Sequence, residues 1–191
     1  MLKPATAARI AGGAVGLAVL GGLATIAMPE GLPGAPSAAA ASEGYDRTVS
    51  PDAVAQQEVL KADAILAAAE AGLNAAHEKG QQVTIAIVDR SGSTRLVLKT
   101  ENAGPQTQES AERKAFTAVS FGQPTSALTE GASGDEPNLS DIPGTLFLAG
   151  GVPVISNGTP IAGIGVGGAP DGAIDEEIAR AALHALETYR D

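Results

Sequence analysis

The sequence contains no cysteine, and this absence removes several kinds of site at once. The chain of 191 residues cannot form disulfide bonds, offers no thiol for lipid attachment and holds no CxxC metal motif. Stability must therefore come from a buried core, helped by association between subunits.

Aromatic residues are nearly as scarce. The chain has no Trp, three Phe and two Tyr. The core must therefore consist of Ala, Val, Leu and Ile. Helix faces rich in Ala pack closely but bury little apolar area per residue. We accordingly expect a surface for self-association, and hence a homo-oligomer.

Basic residues are also few. There are 12 Lys and Arg against 22 Asp and Glu, which gives a formal net charge of −10 at pH 7. A surface of this sign repels phosphate backbones, so nucleic acid is not expected as a partner. The acidity is typical of a soluble exported protein, with weak capture of cations as the alternative.

The N-terminus carries the features of a secretory signal peptide. Lys3 and Arg9 precede an apolar run of small residues, Ile10 to Met28, and a segment of small residues follows with Ala40 and Ala41 as cleavage points. We predict a signal peptide over residues 1–41, a flexible leader over 42–51 and one domain over 52–191. The protein would then be secreted or held at the cell envelope. An uncleaved anchor is the alternative.

Hydrophobic periodicity predicts three helices and two hairpins within this domain. The helices are predicted over 51–79, 107–119 and 172–188, and the paired strands over 83–88 with 95–99 and 152–156 with 159–166. A further short strand is possible at 146–148. Gly80 is the expected end of the first helix. Asp171 is the expected cap of the last helix, and Asp175 is an acidic residue that suits its positive end. Both strand groups are hairpins, which favours one antiparallel sheet with helices packed on it, a fold of the α+β type.

The stretch from Gly163 to Gly168 matches the GxGxxG pattern before a helix. A dinucleotide site would require a βαβ unit, and hairpins do not provide one. Two interpretations remain open. Backbone N–H groups at the helix start can bind an anion such as a carboxylate, or the glycines simply allow a tight turn between strand and helix.

Other candidate residues are few. His77 borders the apolar stripe of the first helix and is a candidate ligand or a structural histidine. His184 lies on a polar helix face that includes Glu176 and Arg180, and is expected to be solvated. Thr107 stands at a predicted helix start, where a hydroxyl commonly serves as a cap. No Ser-His-Asp arrangement, HExxH motif or clustered metal pattern is present.

Four segments taken together resemble the GlcG/HbpS family of haem-binding proteins. They are the VTIAIVDRSG, AGPQTQESAERKA, DIPGTLFLAGGVP and IAGIGVGGAP stretches that begin at residues 83, 103, 141 and 161. The same unit resembles the C-terminal domain of some corrinoid adenosyltransferases. The resemblance implies a profilin-like domain with a five-stranded antiparallel sheet, often assembled into homo-oligomers.

The resemblance also implies a site. Some exported family members bind haem and iron and partner a membrane sensor kinase in redox or haem stress signalling. A threonine at the position of Thr107 contacts the haem iron in those members, so Thr107 is the expected iron contact here. Lys114, or the amides of Gly167 and Gly168, would then meet the haem propionates, with His77 as the alternative iron ligand.

Three functional hypotheses follow. The first is an exported haem-binding protein that sequesters or senses haem. The second is an enzyme that slowly degrades haem by oxidation. The third is a scaffold of the same fold without a ligand.

Overall fold

The computed structural model describes residues 48–133 and 138–190. The predicted signal peptide and most of the predicted leader lie outside these residues, so the domain boundaries stay a prediction. The chain divides into two units at Val54 and Ala55. The described part of the first holds one short 3₁₀ helix, Pro51–Ala53, in which the Ser50 hydroxyl accepts from the Asp52 N–H.

The second unit contains three α-helices and four β-strands among its described residues. In chain order they are α1 (Ala62–Glu78), β1 (Thr84–Asp89), β2 (Thr94–Lys99), α2 (Thr107–Phe121), β3 (Gly151–Ser156), β4 (Thr159–Gly167) and α3 (Gly172–Glu187). Short 3₁₀ helices occupy the connection between α2 and β3. No helix in the described part of the chain is long and apolar enough to cross a membrane.

The strands form one antiparallel sheet in the order β2-β1-β4-β3. The predicted hairpins and the mixed α/β class are thus confirmed. Four strands are found where the resemblance implied five, because residues 146–148 do not pair. The Leu146 N–H donates to the Thr117 hydroxyl, and the Leu148 carbonyl accepts from the Thr125 hydroxyl. Side chains take the backbone groups that a strand partner would need.

The helices lie on both faces of the sheet. On one face, α1 and α3 pack against each other and cover the main core, which includes Ile85, Ile87, Ile164 and Ile178. On the other face, α2 packs on β4 and β1. Alternation along β1 and β4 decides which side chains meet which layer.

Glycines form the face of β4 that meets α2. Ala162, Ile164 and Val166 point into the main core, so the alternating Gly163 and Gly165 face the helix. A Cβ on Gly165 would overlap the Ala111 carbonyl oxygen, and one on Gly163 would overlap that of Ala115. Most of the GxGxxG pattern is therefore strand rather than loop. Its glycines allow a helix backbone to lie directly on a strand backbone.

Helix α1 begins later than predicted, at Ala62 rather than near Pro51. Leu60 packs against the main core, and the Glu58 carboxylate accepts from the Asn157 side chain. These tertiary contacts outweigh the local helical pattern. The spacing predicts an apolar stripe of Leu66, Ala69, Leu73 and Ala76 on this helix. Ala69 and Ala76 are buried, but Leu66 is 60% exposed, and the small residue Gly72 lies against Ile85 instead.

Both hairpin turns follow from their sequences. Asn157 and Gly158 have φ angles of 48° and 76°, the conformation that favours Asn-Gly between two strands. In the β1–β2 turn, Asp89 Oδ1 accepts from the Ser91 hydroxyl and from the N–H groups of Ser91 and Ser93. The bond from the Ser91 hydroxyl is the main reason that the pKa of Asp89 lies below its usual range, with partial burial acting against it.

Replacing Gly165 by Ala should destabilise the fold severely. The new methyl group must displace the α2 backbone, so we expect a loss of about 3 kcal/mol or failure to fold. Gly80→Ala is the matched control: its φ of +63° is strained for Ala, but nothing lies within 4 Å, so about 1 kcal/mol is expected. Urea unfolding measures both. Equal losses would contradict the close contact between α2 and β4.

Removing the charge of Asp89 should weaken the turn in a pH-dependent way. We expect Asp89→Asn to lower the free energy of unfolding by about 0.5 kcal/mol, since the turn is open to solvent. Because the folded pKa is lowered, this stabilisation is fully present above the ordinary value of 3.8 and is lost as pH falls through the folded pKa. Unfolding of Asp89→Asn and of the control Glu101→Gln from neutral to acidic pH tests this. A pH-independent difference would contradict it.

Candidate functional site

A cleft of about 490 Å³ opens where the starts of α2 and α3 meet the end of β4. We call it the α2–α3 cleft. It is lined by Gln106, Thr107, Ser110, Lys114, Leu148, Ala149, Asp175 and the segment from Gly168 to Ala173. The volume falls within the range of small-molecule sites. The cleft exists because α2 lies so close to β4 that its first two turns border the start of α3.

A buried ion pair forms the floor of the cleft. Lys114 Nζ is 2.9 Å from Asp175 Oδ2 and donates to the Val166 carbonyl oxygen at 2.9 Å. The two side chains are only 4% and 3% exposed. Asp175 Oδ1 accepts from the Ala169 N–H, so the pair joins α2, the end of β4 and α3. An ammonium has three donors, which leaves Lys114 with one that these acceptors do not use.

Lys114 by itself would attract an anion into the cleft. The carboxylates of Asp175 and Asp171 act against this attraction. Burial raises the pKa of Asp175, while the Lys114 ammonium beside it acts in the opposite direction. At the rim, the Asp171 carboxylate accepts from the Ala173 N–H and caps α3, as predicted. Lys114 is therefore already neutralised, and Asp171 occupies a donor at the helix start.

Thr107 is at the start of α2, as predicted, but its hydroxyl does not cap the helix. The residue is 2% exposed. Its hydroxyl donates to the Gly104 carbonyl oxygen at 2.8 Å and lies 2.7 Å from the Thr84 hydroxyl on β1. With its hydrogen directed at Gly104, the Thr107 oxygen accepts from Thr84 and keeps one lone pair. The hydroxyl thus ties α2 to β1 and borders the cleft with little accessible surface.

The two predicted glycines play different parts. Gly168 lines the cleft, with a φ of +138° that favours glycine. Gly167 is the last residue of β4 and lies under α2, where a Cβ would be 3.0 Å from the Thr107 carbonyl oxygen. Its role in the structure is close packing.

His77 lies apart from the cleft. It is exposed near the end of α1, and its carbonyl oxygen accepts from the Gly80 N–H in the helix cap. His184 is exposed as expected, with Nδ1 3.4 Å from Glu187 Oε2. The structure therefore brings Thr107, Lys114 and Gly168 to one cleft and leaves His77 outside it. In the described residues, no group of three His, Asp or Glu side chains could hold a metal ion.

Sequence reasoning missed the partner of Lys114. The local pattern indicates at Asp175 only an acidic residue suited to a helix start, and at Glu176 only part of a polar outer face. Asp175 is instead buried, and so is Glu176, whose Oε1 accepts from Arg180. The signal that could have identified the pair is a Lys on the Ala-rich, buried side of a helix, since an ammonium in such a place requires an acidic partner.

Breaking the buried pair should cost far more than breaking an exposed one. We expect Asp175→Asn to lower the free energy of unfolding by about 3–5 kcal/mol, because the Lys114 charge is left uncompensated. Glu109→Gln is the control. Glu109 pairs with Arg113 on the exposed side of α2, the helix that carries Lys114. A loss of about 0.5 kcal/mol or less in the free energy of unfolding is expected there.

A double variant distinguishes the interaction between the two charges from the packing of each side chain. Lys114→Met combined with Asp175→Leu should be markedly more stable than either single variant, because no charge stays buried. Urea unfolding of the wild type, Lys114→Met, Asp175→Leu and the double variant gives the comparison. Additive losses in the double variant would show that the two residues act independently.

The comparisons with known proteins agree on one family. The family model described as haem degrading protein HbpS-like matches residues 60–184. The crystal structure of a double mutant of Streptomyces reticuli HbpS is similar, with 48% identity and a TM-score of 0.70 over 73% of this chain and 95% of that one. An HbpS crystal structure gives 49% identity and 0.70, over 73% and 99%.

More distant structures share the architecture. The Klebsiella pneumoniae protein ORFY is 26% identical, with a TM-score of 0.65 over 71% of this chain and 97% of that one. PduOC, crystallised as a haem complex, is 24% identical with a TM-score of 0.62 over 67% and 95%. At this identity the likeness concerns the fold alone. A search of curated proteins returned no match.

Proposed function

Because this chain belongs to the HbpS-like family, we propose that it is an exported haem-binding protein that sequesters or senses haem and iron. The observation that carries the proposal is the family match over residues 60–184, supported by 48–49% identity to HbpS over nearly the whole length of the solved chains. Haem would supply the iron and the redox chemistry. The protein would supply the place that holds it.

The α2–α3 cleft is the proposed haem site, and its residues fit part of a haem. Leu148, 58% exposed at the rim, and the neighbouring Ala149 offer apolar surface to a macrocycle. Thr107 offers one oxygen lone pair. Because the Thr107 side chain is almost fully buried, the start of α2 must shift before a ligand reaches this hydroxyl.

The propionates fit the cleft floor less well. A carboxylate that approached Lys114 would also meet Asp175 and, at the rim, Asp171. Like charges at this spacing repel each other unless one is protonated. The Gly168 amide already acts on the Asp175 carboxylate, as the Ala169 N–H does. The third N–H of Lys114 is therefore the donor that such a contact would use. The favoured arrangement turns the propionates toward solvent.

Export, assembly and partnership complete the proposal. The basic start, apolar run and small-residue segment support cleavage after residue 40 or 41 and a location outside the cell or at its envelope. A core built of Ala, Val and Ile supports assembly into a homo-oligomer, since each chain buries modest area. The sensor role with a membrane kinase rests on the family resemblance.

A second candidate is slow oxidative degradation of haem. The description of the matching family model favours it, since that model is named for haem-degrading proteins. Haem would be both cofactor and substrate. Formation of verdohaem or biliverdin-like products and release of iron under reducing conditions would establish this activity, and stable retention of intact haem would exclude it.

Titration of the purified protein with hemin, followed by the Soret band, tests the proposal. We expect a saturable shift of the band for the wild type. Thr107→Val, which keeps the shape and removes the hydroxyl, should weaken binding roughly tenfold, the value of one interaction of about 1.4 kcal/mol. His77→Ala should bind as the wild type does.

The outcomes separate the alternatives. Loss of the band in His77→Ala alone would place haem at the end of α1 and overturn the cleft as the site. No shift in any of the three proteins would contradict haem binding and favour a scaffold without a ligand. Circular dichroism of each variant confirms that the fold is retained.

A further inference from the structure

Asn157 has a chemical neighbourhood that no other asparagine of this chain shares. Of the four asparagines, at positions 74, 102, 138 and 157, it alone precedes a glycine. A glycine has no side chain to hinder its own backbone nitrogen. That nitrogen can therefore attack the side-chain amide carbon of the preceding asparagine, which expels ammonia and closes a five-membered succinimide ring.

The structure leaves this reaction room. Asn157 lies in the exposed β3–β4 turn, and both turn residues have positive φ angles. Apart from its two neighbours in the chain, no heavy atom lies within 4 Å of the place where a Cβ on Gly158 would stand. Among the described residues, the Gly158 N–H has no backbone acceptor. The Gly158 nitrogen is therefore exposed and is not held by a hydrogen bond between strands. Near the turn, a register shift between Val154 and Ile155 also interrupts the pairing of β3 with β4.

The Asn157 side chain also has a structural task. Its Nδ2 donates to Glu58 Oε1 at 2.8 Å. This bond joins the hairpin turn to the extended segment before α1, which carries Leu60 into the core. Glu58 also lines a groove of about 520 Å³, together with residues that include Arg90, Ser91 and Thr159.

We propose that Asn157 is a site of spontaneous deamidation that releases residues 55–60 from the β3–β4 turn. The bond from the Asn157 amide carbon to its nitrogen breaks and ammonia leaves. Water then opens the succinimide to give either aspartate or isoaspartate, so the net change is gain of water and loss of ammonia. No other reactant is needed.

Both products remove the contact with Glu58, for different reasons. In the aspartate product a donor becomes a second carboxylate, and two ionised carboxylates at hydrogen-bond distance repel each other. In the isoaspartate product an extra backbone carbon enters a two-residue turn whose geometry depends on its length. Arg90 lines the same groove as Glu58. Its guanidinium is engaged with the Pro160 carbonyl oxygen, to which it donates a hydrogen bond.

Ageing the folded protein at mildly alkaline pH, followed by peptide mapping with mass spectrometry, tests the reaction. We expect the peptide with Asn157 to gain the mass that replacing NH₂ by OH gives, well ahead of the peptides with Asn74 and Asn102. Those two residues precede alanine and serve as controls in the same digest. Equal rates at the three positions, or an intact Asn157 after the others convert, would overturn the proposal.

Limited proteolysis with chymotrypsin, which cleaves after leucine, tests the consequence at Leu60, the residue of this segment that packs against the main core. Asn157→Asp mimics one product and should accelerate cleavage there roughly fivefold, the factor for about one net hydrogen bond. Adding Glu58→Gln supplies a donor to the new carboxylate and should restore the wild-type rate. An Asn157→Asp protein cleaved after Leu60 at the wild-type rate, or a double variant cleaved as fast as the single one, would overturn the release.

Discussion

The direct contact between the α2 backbone and the glycines of β4 is the constraint on which the rest of the structure depends. Gly163 and Gly165 place no side chain between strand and helix, so α2 rests on the sheet itself. Any ordinary side chain there would push the helix outward. The close approach determines the position of the first two turns of α2, which contain Thr107 and Lys114.

The buried pair of Lys114 and Asp175 lies beside that close approach, since Lys114 belongs to the helix that rests on β4. Gly150 contributes to the same tight arrangement, since a Cβ there would come within 2.8 Å of Lys114 Nζ. Burying two charges is expensive unless each has partners, and here the Val166 carbonyl and the Ala169 N–H complete the set. The result is a cleft with a rigid polar floor whose charges are already balanced. Such a floor suits a ligand held mainly by apolar contact and one oxygen, with its charged groups directed to solvent.

The same arrangement changes the meaning of the glycine-rich pattern. Between a strand and a helix, GxGxxG suggested a loop whose amides face an anion. In the structure the first glycines are strand residues under a helix, and Gly168 alone of the last two lines the cleft. Glycine spacing indicates that another group of atoms approaches the backbone closely. It does not report whether the approaching group is a ligand or another part of the chain.

The elements themselves were determined by the sequence. The Asn157-Gly158 hairpin, the Asp171 cap and the helix end at Gly80 follow from local backbone chemistry, so they lie where the pattern places them. The family, too, is carried by residue order. Tertiary structure decided the matters that depend on distant partners. It set the late start of α1, because Leu60 and Glu58 have contacts far along the chain. It left residues 146–148 unpaired, because the Thr117 and Thr125 hydroxyls take their backbone groups. It also decided that Lys114 meets Asp175, 61 residues away, since the free energy of such a pair comes from burial and neighbouring charge, which no local sequence window contains.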